Sequence, residues 1–67
     1  MKYRAVLNNY MLGTYSKGSL RDFIIQENRI DKLHTEVILD IPNEHLNYIK
    51  KLLGADIYPN RLQIVED

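Results

Sequence analysis

The sequence predicts a small α+β domain: a two-layer sandwich in β-β-α-β-α-β order, its four-stranded mixed sheet carrying two helices packed on one face. Three observations carry this expectation. Residues 35–41 alternate apolar and polar, residues 43–53 repeat their apolar positions at helical spacing, and 67 residues suffice for one domain, residues 1–67, without a second. A chain of this length buries about 60% of its extended surface, so it folds with little stability to spare and gains from association.

The first expected element is a hairpin. Tyr3–Leu7 and Tyr10–Tyr15 are β-prone runs joined by Asn8-Asn9, and Asn tolerates the positive φ of a two-residue turn. That register puts Tyr3, Ala5, Leu7, Tyr10, Leu12 and Thr14 on the core side. Lys2, Arg4, Val6, Met11 and Tyr15 then fall on the other face. Gly18-Ser19 opens a first helix, with Ser19 as its cap, Asp22 in its first turn, and Leu20, Phe23, Ile24 and Glu27 on one face. Asn28–Lys32 reads as an irregular polar connection.

The clearest strand follows, with Val37, Leu39 and Ile41 on one face and Glu36, Ile38 and Asp40 on the other. Pro42 ends it, and Asn43 is placed to cap a second helix through Leu53. Leu46, Ile49 and Leu53 form its apolar stripe, beside Leu52. Lys50 and Lys51 suit its negative end, and Gly54 suits a left-handed stop. Ile57–Asn60 reads as a turn, and Leu62, Ile64 and Val65 as a last strand. A helix between the last two strands permits a parallel crossover, hence the mixed sheet.

The formal charge is zero, yet residues 1–33 hold six bases and three acids while residues 34–67 hold three bases and six acids. A basic face for an anionic partner would follow, unless the two halves neutralise each other across the sheet. With no cysteine, disulfides, thiol catalysis and thiolate metal sites are excluded, and a reducing compartment is expected. No apolar run reaches membrane-spanning length, and the N-terminus lacks a signal-peptide apolar stretch, so the expected location is cytoplasmic, with no membrane partner.

Catalytic parts are scarce. A nucleophile would have to be Thr14, Ser16, Ser19 or Thr35 with His34 or His45 as base, and apart from the adjacent His34-Thr35 none of these pairs is close in sequence. His34-Thr35-Glu36 and Glu44-His45 lack the tight spacing that zinc requires. Gly13 and Gly18 are spaced as in a phosphate loop, but Ser19 stands where the essential Lys would be, which rejects a nucleotide hydrolase. The chain is also too short to enclose a usual ligand pocket of about 300 Å³ or more. No enzyme, no catalytic residue, no metal and no cofactor are therefore expected.

What remains is a protein-interaction module, an adaptor, inhibitor or regulator, binding a protein partner or itself as a homodimer. It would use the open sheet face, through Lys2, Arg4, Val6, Met11, Tyr15 and Ile38, or an edge strand. Five tyrosines in so short a chain suit an interface. The alternative is a nucleic-acid-binding protein whose basic and aromatic hairpin presents Lys2, Arg4, Tyr15, Lys17, Ser19 and Arg21. Against that stand Glu36 and Asp40, expected on the same face and able to pair with Lys2 and Arg4.

Overall fold

The structure, a computed structural model, describes residues 1–15 and 19–65. It is an α+β fold with a four-stranded open sheet and two helices. Along the chain run β1 (Lys2–Asn8), α1 (Asn9–Thr14), a 3-10 helix (Leu20–Phe23), β2 (Ile24–Arg29), β3 (His34–Asp40), α2 (Asn43–Leu53), a 3-10 turn (Pro59–Arg61) and β4 (Gln63–Ile64). Strand order in the sheet is β2-β3-β1-β4, and every neighbouring pair is antiparallel.

The core follows from alternation. β1 opposes β3 with Tyr3 across from Leu39, Ala5 from Val37 and Leu7 from Thr35, and all six side chains are buried on one side. Leu20, Ile41 and Ile49 are fully buried in the same cluster, with Leu53 and Leu62. Leu12, Tyr15, Phe23, Ile24 and Leu46 pack against it half-exposed.

Several expectations need correction. The segment after Asn8 is a helix, not the second arm of a hairpin. Asn8 keeps a negative φ of −67° and its side-chain oxygen accepts the Tyr10 amide at 2.8 Å, a helix N-cap. Asn9 then ties α1 to the sheet: its amide donates to the Leu33 carbonyl at 2.7 Å and its Nδ2 to that of Lys32 at 3.0 Å. Its Oδ1 accepts the hydroxyl of buried Thr35 at 2.5 Å.

The helix expected from Ser19 to Glu27 is one 3-10 turn, and strand begins at Ile24. Ile24 and Ile25 are β-branched and favour a pleated surface. Asn28 and Arg29, expected in an irregular connection, complete this strand, and residues 30–33 form a hairpin turn closed by Asp31, whose carboxylate accepts the amides of Leu33 at 2.7 Å and His34 at 2.8 Å. Those bonds hold the Asp31 carboxyl below its ordinary pKa, the Leu33 amide first among the causes.

The sheet is not mixed. β3 and β4 do run in the same direction, but β1 lies between them, so α2 bridges two strands that are not neighbours. The order is therefore β-α-β-β-α-β when the 3-10 segments are set aside. β4 is also shorter than expected, two residues long.

α2 behaves as its sequence suggests at its far end. Gly54 takes a φ of 74°, its amide reaches the Lys51 carbonyl and the Ala55 amide that of Lys50, a two-bond helix stop. At the near end the cap position is Pro42, not Asn43, which is the first helical residue. Proline's fixed φ is compatible with that place, and its carbonyl accepts the His45 amide at 2.9 Å.

Candidate functional site

Two features of β1 define the site. Main-chain groups along an antiparallel strand point alternately to its two neighbours. The Lys2 carbonyl accepts the Val65 amide and Arg4 pairs with Gln63, so the main chains of Lys2, Arg4, Val6 and Asn8 face the β4 side. β4 pairs only with Tyr3 and Arg4. Beyond it the chain turns away through Pro59–Arg61, and Val6 faces no strand among the described residues.

Beside this bare edge lies a groove of about 300 Å³, open on one side. Val6, Met11, Tyr15 and Leu53 give it apolar walls, and His34 and Arg61 also line it, without any carboxylate among the described lining residues. The sequence led us to expect no pocket of this size; an unfinished strand edge makes one as a surface groove rather than an enclosed cavity.

Arg61 is fixed from several sides. Its Nη1 donates to the Leu53 carbonyl at 3.3 Å and its guanidinium lies 4.6 Å from the centre of the Tyr58 ring. It also closes over Gly54, where any Cβ would stand 2.7 Å from Nη1. The groove thus has a positive charge held by the end of α2. Tyr15 is half-buried, and its hydroxyl is buried with no hydrogen-bond partner among the described residues. Burial pushes that phenol's pKa up, keeping it neutral.

The expected partner-binding residues divide. Lys2, Arg4 and Ile38 lie on the open sheet face, whereas Met11 is an exposed residue of α1 and Tyr15 packs against the core. The reason is the helix at Asn9–Thr14: with no second hairpin arm, Met11 and Tyr15 cannot share that face. Val6, Met11 and Tyr15 nevertheless meet, in the groove. Asn8, Leu53 and Arg61 were missed as site residues. The available signal was the Pro59-Asn60 turn, which cuts the last strand short and so leaves its neighbour's edge uncovered.

The basic set is dispersed. Arg4 binds Glu36 at 2.6 Å and Gln63 at 3.2 Å on the open face, so one base of the first half is paired there with one acid of the second. Arg21 instead donates to the carbonyls of Leu12 and Tyr15, both at 3.2 Å, and Ser19 stands at the start of the 3-10 helix. Lys17 lies outside the described residues.

Among the described residues neither histidine forms a triad. His34 contacts Asp31 at 3.2 Å, while His45 lies 3.7 Å from Glu44 and packs against the Phe23 ring. Among the described residues no group of three His, Asp or Glu could hold a metal, and no helix is long and apolar enough to cross a membrane. No family model, curated protein or solved structure matches the chain.

Proposed function

We propose that this chain is a non-enzymatic protein-interaction module of the cytoplasm, a two-layer domain with both helices on one face. It serves as an adaptor, inhibitor or regulator by taking an extended segment of a partner protein onto the bare edge of β1. The observation that supports this reading is the unpaired Val6 edge running directly into an apolar groove. Strand addition needs both parts: main-chain groups give affinity, and side-chain subsites give specificity. Met11, Tyr15 and Leu53 suit an apolar side chain, and Arg61 suits a neighbouring carboxylate. The absence of cysteine fits the reducing cytoplasm. The nucleic-acid alternative has less support, because Arg4 and Arg21 are already engaged within the chain.

The test is selection from a displayed library of random peptides, repeated on Val6→Pro. Proline on an edge removes only the outward N–H, in a backbone region it tolerates. Wild type should enrich peptides with an apolar residue beside an acidic one. The variant should lose them while keeping its amide spectrum. Peptides that bind both proteins equally, or no enrichment at all, would refute the β1-edge reading.

A further inference from the structure

The other edge of the sheet, β2, makes a separate case. We propose that a second copy of this chain pairs with it, β2 against β2, antiparallel about a two-fold axis at Asn28.

The main-chain geometry comes first. Gln26 and Asn28 stand opposite Ile38 and Glu36, and the Ile30 amide donates to the His34 carbonyl, so the even-numbered residues of β2 face β3. The main chains of Glu27 and Arg29 therefore face outward, along an edge that no strand covers among the described residues. Register with β3 is regular from Gln26 to Arg29; the irregularity lies before it, between Ile24 and Gln26. The Asp31 turn lies beyond it.

Charge then selects the register. The side chains of Glu27 and Arg29 lie on one face, opposite Val37 and Thr35, and both are exposed. Glu27 has no ionic partner among the described residues, and Arg29 is seen only donating from Nε to the Asp31 carbonyl at 3.2 Å. Pairing about Asn28 sets Glu27 of each copy against Arg29 of the other, twice by symmetry. Each such pair can exchange both of its main-chain hydrogen bonds. A slip that centres on Glu27 sets carboxylate against carboxylate, and one that centres on Arg29 sets guanidinium against guanidinium. A slip of a single residue turns the ladder's donors away. One register survives.

The remaining features agree. Edges are ordinarily guarded by lysine or proline, and β2 has neither. The chain carries no net charge to keep two copies apart. Ile25 and Ile30, both over half exposed, border the seam and would be partly covered across it, Ile30 against Gln26 and Ile25 against Asp31 of the second copy.

Sedimentation equilibrium of the full chain tests this. Wild type should form a concentration-dependent dimer. Glu27→Arg and Arg29→Glu should each weaken it by about tenfold or more, and the double reversal should restore it, since the pairs re-form with signs exchanged. Asn28→Cys adds a second readout. Self-opposed residues at a non-hydrogen-bonded position lie about 4.5 Å apart at Cα, within disulfide range, and the chain has no other thiol. Mild oxidation should link two copies of this variant. A wild type that stays monomeric at every attainable concentration overturns the proposal, and so does a double reversal that fails to rescue. Val6→Pro should leave the dimer intact, so failure here is distinguishable from failure at the β1 groove.

Discussion

Asp31 shows how much one exposed side chain organises. Its carboxylate takes the amides of Leu33 and His34 and lies against the His34 ring, so three groups of the β2–β3 turn converge on it. Its pKa is lower folded than its ordinary value of 3.8, which gives the sign of the acid response. Above 3.8 the group is ionised whether the chain is folded or not, and its stabilisation is fully present. As pH falls the unfolded chain binds a proton first, and the stabilisation fades until the folded group is protonated too. The protection of the Leu33 and His34 amides, relative to their intrinsic exchange rates at each pH, should therefore fall as pH drops through that window. Asp31→Ala should lower Tm at neutral pH and show a shallower acid dependence. An unchanged acid dependence would assign the effect to another carboxylate.

Short elements obey their caps and anchors more than their composition. Asn8→Ala should cost about 1 kcal/mol in urea unfolding, because the Tyr10 amide loses its acceptor, while Asn8→Asp should cost much less. Equal costs for the two would mean that α1 is held by Asn9 rather than by its cap. At this scale the sequence was legible in part. β1, β3 and α2 were readable because their periodicity persists over seven or more residues. α1 was not, since Tyr10-Met11-Leu12 is too short to distinguish periods of two and 3.6, and Asn8 suits a turn as well as a cap. β2 was lost because Leu20, Phe23 and Ile24 have helical spacing although Ile24 belongs to the strand. In both places the deciding bonds, Asn9 to Lys32 and Thr35 and Asp31 to its turn, join residues whose meeting no local pattern announces.

At the scale of the whole molecule the core is small and continuous. Leu39 is fully buried and stands between Tyr3 of β1 and Ile24 of β2. Leu39→Ala should cost about 2–5 kcal/mol and leave much of the chain unfolded at room temperature. A mild loss, read by calorimetry, would mean that the neighbouring core side chains can close over the gap. Core side chains were readable in part: Leu20, Phe23 and Ile24 face inward in either conformation, but Tyr10 and Thr14, expected in the core with the hairpin, are exposed because α1 replaces its second arm. The groove was less so. Val6, Met11 and Tyr15 could be picked out as apolar residues outside the core, but their meeting with Leu53 and Arg61 depends on where β4 stops.

The central position of β1 also has a consequence for biosynthesis. It leaves the ribosome before either of its neighbours, residues 34–40 on one side and residues 63–64 on the other. Until those emerge, Tyr3, Ala5 and Leu7 form an apolar strand with both edges bare. A nascent chain halted before Leu62 would expose the whole outer edge of β1, and should be the form that chaperones hold or that aggregates first.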